Sequence, residues 1–359
     1  MKKILEVRGD AAQAMLGLLR QVATNEGVLP LHEVHRETLQ AMAEHLFHTD
    51  FDPEAVAVPF SEAKGRITDE DLQRDLMNMA GIFPFIEEEH LQDRIDAVGR
   101  LGEAMDFDRK YTKRLHQLSH EAVTGLALCL YRPLSLEVGA PLWKATYKLA
   151  QSTLHMDGDK HVLARYQGYR DLPKDTFGGS LISYYDDNKF PLPGTPGAFF
   201  SNSLTIHDIH HVLSGYPTSP IGETCVVAFD NGVMDLDMGQ ALIGYVAQFQ
   251  IGIQWDKGLK TWRNQFRPDV VLRAFERGGG ATVNYLELDF DFSGHFERPL
   301  ADVRRDFGID PEGALIAGPD DKWCGDVGVV GERQSPDIIE RKKNILERLL
   351  AGKNTTDGT

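Results

Sequence analysis

A phrase written twice constrains this fold more than any other feature of the chain. Gly27-Val28-Leu29-Pro30-Leu31 recurs 54 residues on as Gly81-Ile82-Phe83-Pro84-Phe85. Glu33 matches Glu87, and Leu18, Arg20 and Val22 match Leu72, Arg74 and Leu76. Asp50-Phe51-Asp52 matches Asp106-Phe107-Asp108 two residues further out, which implies a small insertion in the second copy. Each copy reads as helix, Gly/Pro break, helix. In the second copy Thr68 and Asp71 form a capping-box pattern, with Asp in place of the usual Glu. Leu91, Ile95, Val98, Leu101 and Met105 fall on one helical face. Two such hairpins can bury their apolar stripes against each other as a small helical domain.

Helical signals continue beyond the repeat. Residues 121–151 are apolar and aromatic, with breaks near Arg132-Pro133 and Ala140-Pro141. A Gly/Pro-rich stretch from Leu172 to Gly197 is interrupted by a short helix over Ser180–Asp186. Helices are expected over Ile221–Gly232, Met238–Trp255, Val270–Arg277 and Pro299–Phe307. Glu312–Glu332 is Gly-rich and irregular. A last helix opens with Ser335 as cap and Pro336 in its first turn, and Asn354–Thr359 reads as a tail. The one strand candidate is Ala281–Leu288. The expected fold is all-α: a duplicated helical-hairpin domain over 1–131, a helical metal-binding domain over 132–335, and a terminal helix and tail over 336–359.

Charge and cysteine usage narrow the function classes. A formal net charge of -16 speaks against nucleic acid as a partner. The three cysteines, Cys129, Cys225 and Cys324, are too few and too scattered for a disulfide framework and fit a reducing cytosol. Lys2 and Lys3 are followed at once by Glu6, Arg8 and Asp10, so no signal-peptide pattern develops. No run of apolar residues is long enough to span a bilayer.

The chemistry concentrates in His207-Asp208-Ile209-His210-His211, followed by Glu223. His207 and His211 stand four apart, so on a helix they project from one face and can grip one cation. Gly215, Tyr216 and Pro217 break that helix, and Glu223 on a returning helix can close the site. Asp208, about 100° round the helix from His207, has three open roles: a further ligand, a partner orienting a histidine, or a base. His210 points elsewhere and supports or packs. Cys225 is either an additional ligand or a small core residue. Ile206, Ile209, Val212 and Leu213 make the helix amphipathic without any metal, so a hydrogen-bonded structural cluster is the competing reading. Asp186-Asp187-Asn188, and Asp235 with Asp237, read as turn and cap residues.

The motif carries a resemblance. His207-Asp208-Ile209-His210-His211-Val212-Leu213-Ser214-Gly215-Tyr216 and Gly222-Glu223 resemble the signature of the coenzyme Q (ubiquinone) biosynthesis protein four family: His-Asp-x-x-His, eleven residues, Glu. Thr176-Phe177-Gly178 and the segment Leu300–Ile309, with Val303-Arg304, resemble further parts of that family. The resemblance spans Leu134 to Asp310. The chain departs from it at Ser203-Leu204-Thr205-Ile206, where the family has a polar, Arg-containing run. The N-terminal part resembles the tellurite-resistance B-like helical domains. Their acidic Asp-Gly break is Glu26-Gly27 here, and Ala80-Gly81 in the second copy.

The first resemblance implies an all-α homodimer that holds a prenylated aromatic ring near a divalent metal. It implies removal of the ring's carboxylate coupled to hydroxylation, the work of a lyase or oxidoreductase. His207, Asp208, His211 and Glu223 would form the metal shell. Zinc is the first expectation, with iron, manganese or magnesium as alternatives. Zinc has no redox chemistry, so hydroxylation would need an electron-rich ring reacting with dioxygen or a redox metal. Two rival readings stand beside it: a metallohydrolase, and a non-catalytic isoprenoid-lipid-binding scaffold of a biosynthetic complex. The N-terminal helices would then be a docking module for a protein partner.

Between Trp255 and Arg277 the acidic chain turns basic and aromatic. Lys257, Lys260, Arg263, Arg267, Arg273 and Arg277 alternate with Trp262, Phe266 and Phe275. This is either a peripheral membrane contact at the cytoplasmic face or a solvated helix face with buried aromatics.

Overall fold

A computed structural model of the chain describes residues 2–54, 58–120, 158–196, 202–234, 239–254, 260–286 and 290–323. Within these residues the fold is all helical, with thirteen α-helices, short 3-10 turns and no sheet. Two isolated bridges, Thr176 with Pro299 and Ile251 with Arg263, are the only extended pairings among the described residues. Ala281–Leu286, the described part of the strand candidate, forms bends and a turn instead. Ala281, Tyr285 and Leu286 are buried against helices, so no neighbouring strand is there to pair with.

The repeat becomes α1 (Gly9–Ala23) and α2 (Glu33–His45), then α4 (Glu70–Ala80) and α5 (Leu91–Ala104), with α3 (Ala63–Arg66) between them and α6 (Lys110–Ser119) after. Helix α1 buries Met15, Leu16, Leu19 and Val22 on one stripe, and α5 buries Ile95, Val98 and Leu101. The cap of α4 is Asp69, whose carboxylate accepts from Asp71 N and Leu72 N. That corrects the expected Thr68 by one residue. A carboxylate at the N-cap satisfies two orphan amides and suits the positive helix end.

The two copies of the repeated phrase take different backbones. In the first, Asn25, Glu26 and Gly27 all adopt positive φ, at 48°, 58° and 86°. In the second, Gly81 is helical at φ -64° and a 3-10 turn over Phe83–Phe85 follows. Burial explains the difference. Ile82, Phe83 and Phe85 are at most 1% exposed, and a helical turn keeps their amides paired while they enter the core. Val28 is 76% exposed, so the first break is free to loop outward.

The second half supplies α7 (Lys160–Gly168), α8 (Phe177–Asp187), α9 (Asn202–Ser214), α10 (Pro220–Val233), α11 (Gly239–Gln250), α12 (Pro268–Gly279) and α13 (Leu300–Asp306). Helix α8 starts three residues before the expected Ser180, because Thr176 caps it by accepting from Gly179 N. Helix α11 stops at Gln250 rather than Trp255, and the chain then pairs Ile251 with Arg263.

The halves share a continuous hydrophobic core. Helix α2 lies on α12, where His45 Nδ1 meets Glu276 Oε2 at 2.8 Å. Helix α11 lies on α4, and Gln250 Nε2 donates to Ile86 O at 3.1 Å. The expected domain boundary near Arg132, the helical breaks after it, Cys129, Cys324, Asp235 and Asp237 lie outside the described residues. So does the terminal helix and tail of 336–359.

Helices α10 and α12 approach closely because glycine stands at their crossing. A Cβ on Gly278 would sit 1.9 Å from Phe229 O, and one on Gly232 would sit 2.2 Å from Phe275 O. This crossing carries Arg277 to the end of the motif helix.

Candidate metal centre

Helix α9 ends at Gly215, whose φ of 78° suits glycine and turns the chain back. Ser219 then caps α10 by accepting from Gly222 N, with Pro220 in the first turn. The hairpin sets Glu223 opposite the histidine pair.

The C-terminal carbonyls of α9 have no intrahelical partner. Two buried arginines take them. Arg304 Nε donates to Leu213 O at 2.9 Å and its Nη2 to Val212 O at 2.8 Å. Arg277 Nη1 donates to Ser214 O at 2.9 Å and to the Tyr216 hydroxyl at 2.7 Å. Neither has a carboxylate within ion-pair distance among the described residues, so the helix C-terminal dipole and the carbonyls supply the counter-potential. Burial, with Arg277 close by, pulls Arg304 down to about 10.

His207 Nε2 lies 3.2 Å from Glu223 Oε2 and 3.2 Å from His211 Nε2. His211 Nε2 lies 3.5 Å from Glu223 Oε1. Bonds typical of four-coordinate zinc separate the ligand atoms by about 3.3–3.5 Å. The three side chains therefore already stand at ligand spacing. Two histidines and one glutamate are the donor set of catalytic zinc sites, and the same set on one face serves non-haem iron. The His207 side chain is 29% exposed, whereas those of His211 and Glu223 are 0% and 8%. The group thus opens towards solvent on the His207 side, leaving room for a non-protein ligand.

His211 is aimed from behind. Its Nδ1–H donates to Tyr216 O at 2.8 Å, since a carbonyl can only accept. Nε2 is left with its lone pair directed at the group. The Tyr184 ring stacks on the imidazole at 5.4 Å and 26°.

Burial lowers the affinity of His207 for a proton, but the hydrogen bond and charge of Glu223, with Asp208 and Asp230 behind, outweigh it and raise the group to about 9. For Glu223 burial works the other way and is overcome by His211 and His207, which hold its carboxyl well below the usual range. In the metal-free protein a shared proton joins the pair.

Asp208 stands apart from this donor group. Its Oδ1 accepts from the Tyr184 hydroxyl at 3.1 Å and its Oδ2 from the Tyr185 hydroxyl at 2.8 Å. Burial raises its carboxyl, opposed by His207 and Tyr185. Through Tyr184, which stacks on His211, this carboxylate is linked to the donor group without joining it. His210 Nδ1 pairs with Asp230 Oδ2 at 2.9 Å. Cys225 is a buried core thiol, pushed up by desolvation, and lies outside the group.

Sequence reasoning missed Tyr184, Tyr185 and Asp230, and it named Arg277 and Arg304 without seeing that they take the carbonyls of the motif helix. Asp230 had a signal, standing two helical turns after Glu223 on the same face. The tyrosines had none, since nothing in spacing links α8 to α9. Asp186 pairs with Arg170, Asp187 accepts from Trp323 N, and Asn188 is buried, donating to Tyr184 O.

Of the described arginines in the basic segment one turns inward and the others form ion pairs at the surface. Arg277 is buried, Arg263 pairs with Glu88 and Arg273 with Glu312 at 2.8 Å. Phe275 is fully buried. Trp255 and Lys257 lie outside the described residues. Among the described residues no helix is long and apolar enough to cross a membrane.

No family model, curated protein or solved structure matches the chain.

Proposed function

We propose that this chain is a metal-dependent enzyme acting on a hydrophobic, prenylated aromatic or quinone-like ring, in the manner of an oxidative decarboxylase. The observation that carries the reading is the convergence of His207, His211 and Glu223 at ligand spacing, with His211 pre-aimed by the Tyr216 carbonyl. A divalent cation held there would polarise a carboxylate or ring oxygen and stabilise the charge that develops as carbon dioxide leaves. The His207 side is the open approach for such a substrate. The ring chemistry comes from the family resemblance of the motif. The overall change, an aromatic acid to the corresponding phenol and carbon dioxide, consumes dioxygen and two reducing equivalents from an external donor.

Three donors with an open side also suit a hydrolase. Against that reading, both oxygens of Asp208 are engaged by tyrosine hydroxyls, so it is poorly placed to take a proton from a metal-bound water.

The test is purification followed by elemental analysis and incubation with a prenylated hydroxybenzoic acid under air and a reductant. Release of carbon dioxide by the wild type, lost together with the metal in His211→Ala, supports the proposal. Carbon dioxide release by a metal-free variant, or none from the metal-loaded wild type across ring acids, rejects it.

A further inference from the structure

A second polar cluster lies beside the donor group and is not used by it. His210, on the motif helix, is 4% exposed, Asp230 on α10 is 5% exposed, and Tyr285 is 0% exposed. His210 Nδ1 and Asp230 Oδ2 are hydrogen-bonded at 2.9 Å. The imidazole meets the Tyr285 ring edge to face, with centroids 5.7 Å apart. Among the described residues, each of the three keeps one buried polar atom without a protein partner: His210 Nε2, Asp230 Oδ1 and the Tyr285 hydroxyl. A buried polar atom left unpaired is costly, and native interiors rarely hold three on touching residues.

We propose that His210, Asp230 and Tyr285 form an enclosed binding site for a neutral guest that both donates and accepts hydrogen bonds, namely ordered water.

The chemistry of the three atoms selects this guest. An ionised Asp230 is acceptor-only, so His210 Nδ1 is the donor of their bond. Asp230 Oδ1 then needs a donor, and the Tyr285 hydroxyl can give one bond and take one. Nε2 is a lone pair in neutral imidazole and an N–H in imidazolium, and water serves either. Buried waters of this kind bridge groups that would otherwise be orphaned and act as part of the structure. Here the guest would tie the motif helix to the segment carrying Tyr285. The site makes no use of the metal donor atoms, so its test does not depend on the proposed activity.

The test is a crystal structure of the full chain at a resolution that shows ordered waters, collected also after a manganese soak, together with the variant Tyr285→Phe. The expected result is a peak at hydrogen-bond distance, about 2.7–3.2 Å, from His210 Nε2 and from the Tyr285 hydroxyl, without anomalous signal. In Tyr285→Phe that peak is lost or displaced while the His210–Asp230 bond remains. Absence of any peak, protein groups bonded to Nε2 and the hydroxyl, or manganese at the position would each overturn the proposal. So would a peak unmoved in Tyr285→Phe. If the variant fails to fold, the wild-type density alone decides.

Discussion

His211 Nδ1 lies 2.8 Å from the carbonyl oxygen of Tyr216, just past the end of the helix that carries the histidine. The ring is therefore oriented by backbone. A site aimed in advance does not need the metal to hold its shape. Chelation is expected to leave helical content unchanged by circular dichroism and to lower the melting temperature reversibly, by mass action alone. Collapse of the helical signal on chelation would instead mark a metal on which the fold depends.

Glu223→Gln keeps the shape of the side chain and removes its charge. Metal affinity should fall at least by the roughly 10–100-fold that loss of a ligand's support costs. His207 should also drop from about 9 towards its ordinary value, because Glu223 is the main group raising it. Competition with a chelating dye measures the first effect and imidazole NMR the second.

Metal uptake should release a proton. In the metal-free protein His207 is raised to about 9, so its pairing with Glu223 is fully present below the usual histidine range and is lost as pH rises through about 9. A histidine must give up its proton to bind a metal, so near pH 7 each cation displaces about one proton and affinity climbs about tenfold per pH unit until His207 titrates. Calorimetry in two buffers of different ionisation enthalpy counts the proton, and identical heats in both would contradict the assignment.

Arg304→Leu strips partners from the carbonyls of Val212, Leu213 and Ile316. Each buried orphan costs about 1–3 kcal/mol, so a loss of about 3 kcal/mol or more is expected in urea unfolding. Arg304→Lys, which keeps the charge but not the planar fork, should recover only part of it.

Gly278→Ala forces a methyl to within 1.9 Å of Phe229 O. The helices must separate, at a cost of about 1–3 kcal/mol or more. Because the same crossing delivers Arg277 to Ser214 and Tyr216, metal affinity should weaken along with stability. An unchanged melting temperature would show that the crossing is looser than described.

The helical class, the repeat and the His207, His211, Glu223 trio were legible because each rests on spacing within one or two helices. Periodicity puts residues four apart on one face whatever the rest of the fold does. The turn at Gly215 is likewise local, since its positive φ suits glycine.

What sequence left open was settled by contacts between distant segments. The repeated phrase gave two different turns because one copy is buried and the other faces solvent. For Asp208, which the sequence left as ligand, orienter or base, α8 supplies two hydroxyl donors that no spacing along the motif helix announces. The basic segment was read as a membrane contact or a solvated helix face; among its described arginines Arg263, Arg267 and Arg273 pair with Glu88, Asp269 and Glu312, and Arg277 donates to Ser214 O and the Tyr216 hydroxyl. Residue type and spacing along one helix name the chemistry available to this protein. Only packing, which places separate helices within hydrogen-bond reach, decides which of those groups meet.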